Sequence, residues 1–112
     1  MKKVEAVVRP DVLNEVKAAL AEAGYPSMTV TEVKGRGNQE GVTQKWRGEE
    51  YKIDLLAKTK VEVVVPEEAV DDVVSAVVEG ARTGDIGDGK VFVSPVDSAV
   101  RIRTGEEDGD AL

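Results

Sequence analysis

The sequence contains no cysteine and no histidine. Disulfides, thiolate nucleophiles, zinc sites built on Cys or His, and every acid–base scheme that runs through an imidazole are therefore excluded. The serines, Ser27, Ser75, Ser94 and Ser98, have no histidine to activate them. A bound metal would be a hard cation on oxygen ligands, with magnesium carried by phosphate as the expected form. Aromatic residues make up only 4% of the chain against 41% hydrophobic residues, so the core must be aliphatic, mainly Val and Ala. No apolar run approaches the roughly 20 residues of a membrane helix, and the N-terminus carries no signal-peptide hydrophobic region. A cytoplasmic location is expected. Bases are also in deficit, 15 Lys and Arg against 22 Asp and Glu, for a net charge of −7. That argues against nonspecific binding to nucleic acid, which needs a cationic surplus.

What is present fits a single domain over residues 1–112. KKVEAVVR (2–9) reads as a strand closed by Pro10. Val12, Val16, Ala19, Leu20 and Ala23 then recur at helical spacing from Asp11, and Gly24 ends the helix. TVTEVKG (29–35) is a second strand and KTKVEVVV (58–65) a third. Pro66 is expected in the first turn of a second helix, with a stripe of Val70, Val73, Val74, Val77 and Val78 and an end at Gly80. KVFVSPV (90–96) is the fourth strand. The halves repeat one another in VVRPD and VVVPEE. The order predicts an α+β fold of the ferredoxin-like βαββαβ type, with both helices on one face of an antiparallel sheet. The other face of this Val-rich sheet would lie exposed, and it is expected to be buried by self-association. Between the second and third strands, residues 37–54 read as a long polar loop carrying Trp46 and Tyr51. Loops of that length tend to be functional, and such aromatics are candidate partner contacts.

The stretch TGDIGDGKVFV (83–93) has the G-x-x-x-x-G-K spacing of a Walker A loop from Gly84. A true P-loop runs from strand into helix and ends in Ser or Thr, whereas here a helix precedes, a strand follows, and Val91 takes the Ser/Thr position. Walker A is rejected. Gly84, Gly87 and Gly89 would still let backbone amides converge on an anion, with Lys90 adding a point charge. Asp85 and Asp88 oppose a bare phosphate, and the alternative is an ordinary Gly/Asp turn. Arg101 and Arg103 sit at i and i+2, so an extended segment would aim both guanidiniums to one side, matched to phosphate oxygens.

At these residues the chain resembles the PII nitrogen-regulatory signal-transduction family. The resemblance is carried by TVTEVKGRGNQ (29–39), RGEEY (47–51), TGDIGDGKVFV (83–93) and VRIRTGE (100–106), and it spans the whole chain. It implies a homotrimer that binds ATP or ADP in clefts between subunits. Thr29, Gly35, Glu62 and Val64 would frame the nucleotide. The loop 82–90, with Arg82, Gly87, Asp88, Gly89 and Lys90, would cradle its phosphates, joined by Arg101 and Arg103 of a neighbouring chain. 2-Oxoglutarate would bind with MgATP near Gly37, Gln39, Gly41, Lys58 and Gly87, with Gln39 as a Mg2+ ligand and Lys58 paired with a carboxylate. Gln39 and Lys58 rest on the resemblance alone.

The resemblance also makes about 37–55 a T-loop that touches targets, an ammonium transporter or glutamine synthetase. Within it Trp46 and Arg47 would meet the partner, and Tyr51 stands where some members are uridylylated. The segment 99–112 is the C-terminal extension. Asn38 stands where many relatives have Arg, and Trp46 is a second departure. The implied role is a non-catalytic sensor. The alternative is a slow ATP-hydrolysing enzyme on the same fold. Nucleoside diphosphate kinases need a histidine that is absent, and the arginine after the first strand in acylphosphatases has a counterpart in Arg9, which in sequence lies far from the glycine loop. An RNA-binding sheet would display aromatics for base stacking, and VEVVV displays none.

Overall fold

The computed structural model of the chain describes residues 1–36 and 55–112 in full and, between them, the backbone pairing of 42–46 with 49–53. Strand β1 (Lys2–Val8) leads through a 3-10 turn at Pro10–Val12 into helix α1 (Leu13–Glu22), followed by β2 (Thr29–Gly35). After the short strands β3 (Val42–Trp46) and β4 (Glu49–Ile53) come β5 (Leu56–Val65), a 3-10 turn at Glu67–Ala69, α2 (Val70–Ala81) and β6 (Gly89–Pro95). The four long strands form one sheet in the order β2-β5-β1-β6 with every neighbour antiparallel, the ferredoxin-like arrangement the sequence predicts.

Strand periodicity decides which residues meet the helices. Val4, Ala6 and Val8 of β1 share a face with Val61, Val63 and Val65 of β5, and all six are buried. Against them pack Val16 and Leu20 of α1 and Val73, Ala76, Val77 and Ala81 of α2. Ala23, expected on the apolar stripe of α1, is exposed, and Leu13 packs against the core instead. The same period of two sets the composition of the outer face. VEVVV turns Val61, Val63 and Val65 inward, so the open face carries Lys3, Glu5, Lys60 and Glu62 among Val7, Val33, Val64 and Phe92. Lys60 lies 3.4 Å from Glu62 and 3.9 Å from Glu5, a charged ladder across two strands.

Three other expectations change. Residues 42–46 pair with 49–53 from Val42↔Ile53 to Trp46↔Glu49, so the connector holds a two-stranded ladder where a loop is expected. VTQKW and EEYKI are rich in β-branched and aromatic residues, which favour that state. Pro66 is extended and caps the 3-10 turn from outside, since its fixed φ fits the approach to a helix as well as its first turn. Gly80 lies inside α2, which runs on to Ala81.

The two helix glycines therefore do different things. Gly24 has φ +95°, follows the last turn of α1, and lets the Tyr25 amide reach back to the Leu20 carbonyl at 2.8 Å. It is a C-terminal cap, as expected. Gly80 is where the two helices touch: a Cβ there would stand 2.9 Å from the Glu15 carbonyl oxygen and 3.0 Å from Val16 Cα.

Candidate functional site

The antiparallel order brings four chain segments to one end of the sheet. Here β1 and β2 finish, β5 and β6 start, and the connector leaves and returns. Loop 82–90 joins α2 to β6 at this end. Its glycines at 84, 87 and 89 all have positive φ, at +94°, +100° and +105°. At Gly89 a Cβ would stand 1.8 Å from the Val7 carbonyl oxygen, so only glycine lets β6 begin this close to β1.

The loop is organised around its own carboxylate. One oxygen of Asp88 accepts the amides of Thr83 and Gly84, both at 2.9 Å. The other accepts the Thr83 hydroxyl and, at 3.3 Å, Nε of Arg9. The Thr83 hydroxyl oxygen in turn accepts the Asp85 amide at 3.2 Å. Arg9 also donates through Nη2 to the carbonyl of Ile86. Beside it, Lys58 Nζ donates to the carbonyl of Gly87 at 2.9 Å. Gly35 lies along the stem of Lys58, where a Cβ would stand 3.8 Å from Lys58 Cγ.

This geometry pairs the Asp88 carboxylate within its own loop. Its charge is spent inside the loop on three neutral donors and one guanidinium. The Thr83 hydroxyl and amide, then the Gly84 amide, and last Arg9 hold its carboxyl well below the usual 3.8, against a modest desolvation. An unfolded chain takes up that proton near 3.8 and the folded chain only at lower pH. The stability involved is thus complete above 3.8 and is lost as the pH falls toward the folded value. The urea-unfolding deficit of Asp88→Asn is expected to stay constant across neutral pH and to close progressively below pH 3.8. A deficit unchanged in acid would show that the carboxylate charge plays no part in holding the loop.

Sequence reasoning put the glycines, Asp88 and Lys90 in one loop, and the structure shows how that loop is held. It adds Arg9 and Thr83, which sequence reasoning did not put in the site. The signal for Arg9 lies in the strand register: Val8 pairs with Gly89, so the next step of the ladder sets Arg9 beside Asp88. The argument that Arg9 stands apart from the glycine loop is overturned by that contact.

Other site residues are placed as follows. Thr29 pairs with Glu62 on the open face, and Val64 lies on the same face two residues further from the loop. The Glu62 carboxyl is held below its usual range, first by its hydrogen bond with Glu5 and then by Lys60 and Lys3. Arg82 and Lys90 are exposed. Beside them a cleft of about 260 Å³ opens between the end of α2 and the start of β6, lined by Val8, Val77, Ala81, Arg82, Asp88 and Lys90. A wider concavity, about 630 Å³, separates the outer sides of α1 and α2, and none of the sequence-predicted site residues lines it.

Arg101 and Arg103 do not lie in an extended segment. Residues 102–104 turn, the Gly105 amide reaches the Arg101 carbonyl at 2.8 Å, and Val100 bridges to Glu107. Thr104 and Gly105, with φ +72° at the glycine, supply the turn. Arg101 pairs with Glu106 at 3.2 Å and donates to the Leu112 carbonyl at 3.1 Å, while Arg103 is exposed. Among the described residues of one chain, no hydrogen bond or ion pair ties either arginine to the glycine loop. Gly37, Gln39, Gly41 and Arg47, together with the side chains of Trp46 and Tyr51, lie outside the described residues.

Comparison with known proteins covers almost the whole chain. The family model described as nitrogen regulatory protein P-II matches residues 1–106. Among relatives, the chain is 59% identical to the nitrogen regulatory protein P-II of Synechocystis sp. over 112 residues, covering 100% of both chains. It is 58% identical to nitrogen regulatory protein P-II 2 of Methanothermobacter thermautotrophicus, covering all of this chain and 97% of that one. It is 53% identical to nitrogen regulatory protein P-II 1 of Escherichia coli, again with 100% of both chains aligned. With a family match over almost all of its length and full-length relatives above half identity, this chain belongs to the nitrogen regulatory protein P-II family.

Proposed function

We propose that the chain is a non-catalytic sensor, acting in the cytoplasm as a homotrimer, that binds ATP or ADP at subunit clefts and 2-oxoglutarate together with MgATP. Loop 82–90 would receive the phosphates, with Lys90 and Arg82 as exposed cations and Arg101 and Arg103 of a neighbouring subunit closing the cleft. Thr29, Gly35, Glu62 and Val64 would frame the nucleotide along the open face. Lys58 would pair with a 2-oxoglutarate carboxylate, with Gly37, Gln39, Gly41 and Gly87 around it and Gln39 on Mg2+. Self-association is supported by the exposed Phe92, Val93, Val100 and Ile102, which in one subunit leave apolar surface on and beyond the edge strand β6.

The observation that carries this reading is the hydrogen bond from Lys58 to the Gly87 carbonyl at 2.9 Å. It joins the cation proposed for the dicarboxylate to the loop proposed for the phosphates, at the root of the connector. A ligand that favours one arrangement of this junction shifts the population of connector states by its differential affinity. The connector, about 37–55, would then engage or release an ammonium transporter or glutamine synthetase through Trp46, Arg47 and Tyr51, with Tyr51 open to modification.

Calorimetric titration of 2-oxoglutarate with and without MgATP tests the coupling. The expected result is at least a roughly tenfold tighter dissociation constant with MgATP, in the usual range of allosteric coupling. Equal affinity in both titrations would remove the mechanism. A turnover assay run on the same samples separates the sensor from a slow ATPase.

A further inference from the structure

Arg9 occupies a position that the proposed sensor role does not account for. Its guanidinium reaches from the end of β1 across to loop 82–90, donating to the Ile86 carbonyl and to Asp88. A Cβ on Gly87 would lie 3.1 Å from its Nη2, so the group rests against the loop backbone itself. Arg9 and Asp88 are both largely shielded, their side chains 29% and 24% exposed.

The orientation of the loop amides follows from peptide geometry. In a trans peptide the C=O and the following N–H point in opposite directions, and the described chain contains no cis bond. With the Ile86 carbonyl turned toward Arg9, the Gly87 amide faces away from it. With the Gly87 carbonyl turned toward Lys58, the Asp88 amide faces away as well. The amides of Thr83 and Gly84 are already taken by Asp88 and that of Asp85 by Thr83. The amides of Ile86, Gly87 and Asp88 make no hydrogen bond among the described residues. They are the donors left for an anion.

We propose that Arg9 is a positioning residue for polyphosphate binding. By holding the Ile86 carbonyl and the Asp88 carboxylate together, it turns the Gly87 amide outward and pairs the Asp88 charge with its own. It does not itself touch the ligand. The inference rests on the reading of loop 82–90 as a phosphate seat and adds the device that sets it.

The test is a double-mutant cycle on MgATP affinity by calorimetry, with Arg9→Gln, Asp88→Asn and the double variant, each checked for folding by circular dichroism and urea unfolding. Arg9→Gln is expected to weaken MgATP about tenfold or more, the scale of a lost charge-assisted hydrogen bond. Arg9→Lys restores little of this, because an ammonium lacks the fork that spans both acceptors. The double variant loses clearly less than the product of the single losses, since either change alone opens the same clamp.

Losses that multiply across the cycle, or a folded Arg9→Gln protein with wild-type affinity, overturn the inference while leaving the seat intact. A wild-type protein that binds no MgATP overturns the seat and the inference with it. Amide hydrogen exchange in the nucleotide-free protein gives a readout independent of ligand. Thr83 and Gly84 are expected to exchange at least several-fold faster in Arg9→Gln than in wild type, and unchanged exchange rates overturn the clamp.

Discussion

Replacing Gly89 with alanine is expected to cost about 3–4 kcal/mol of folding stability, at the severe end of single substitutions. Two independent causes act at the same atom. The residue holds φ +105°, a region that L side chains rarely adopt. The new Cβ would also stand 1.8 Å from the Val7 carbonyl oxygen and 2.9 Å from its carbon. Neither contact can be relieved by a side-chain rotation, because both atoms belong to the backbone of β1 where it pairs with β6. The first rungs of that ladder, Val8↔Gly89 and Val7↔Lys90, must part, and loop 82–90 loses its fixed end. Urea unfolding at a single protein concentration measures the loss, and the concentration is held fixed because association would otherwise move the midpoint. A Gly89→Ala protein of wild-type stability would mean that β1 and β6 do not approach this closely. A variant that folds but no longer binds MgATP would tie the close approach to the phosphate seat.

The glycine loop was legible because glycine spacing is a local property. G-x-x-x-x-G-K announces a backbone able to turn several amides together, and the positive φ at 84, 87 and 89 is that property realised. What the pattern did not disclose is how the loop is fixed. Arg9 is 79 positions from Asp88, and the contact exists only because β1 and β6 pair in one register. A reading that finds strands without pairing them has no route to it. The same limit explains Lys58. In KTKVEVVV it reads as one more polar residue at a strand start, and only the β5 ladder places it beside the loop.

Periodicity is a reliable guide for the sheet and a poor one for the C-terminal segment. In VEVVV, counting alternate positions sends three of the four valines inward and leaves Glu62 in the charged ladder. Period two was applied to Arg101 and Arg103 as well, where it does not hold. The Thr-Gly pair at 104–105 was available as a turn signal, and it closes the segment on itself through Arg101 and Glu106. The aromatic and β-branched content of the connector pointed to strands, and its glycines and charge masked that.

Gly80 gives the sharpest test of what a glycine at the end of a helix pattern means, because the two readings predict opposite signs. If Gly80 only ended α2, Gly80→Ala would be neutral or would gain up to about 1 kcal/mol from helix propensity. In the structure the position is helical, and its missing side chain is the space into which α1 fits. The added methyl would meet the Glu15 carbonyl oxygen at 2.9 Å, Val16 Cα at 3.0 Å and the Glu15 carbonyl carbon at 3.1 Å. These are backbone atoms of a second helix, so the helices must move apart as rigid bodies. Val16 and Val73 are fully buried near that seam and would lose contact when they do. Overpacking of this kind costs about 1–3 kcal/mol, enough to outweigh the propensity gain. Gly80→Ala is therefore expected to lose roughly 1–2 kcal/mol and Gly80→Val about 3 kcal/mol or more, since the branched side chain adds bulk on the same axis. Gly24→Ala serves as the control. Nothing lies within 4 Å of its added Cβ, so its cost comes from φ +95° alone, on the order of 1 kcal/mol. Urea unfolding of the set decides the matter: a stabilised Gly80→Ala would return Gly80 to the role of a stop signal, and a loss that grows from Ala to Val fixes it as the contact through which the two helices share the core.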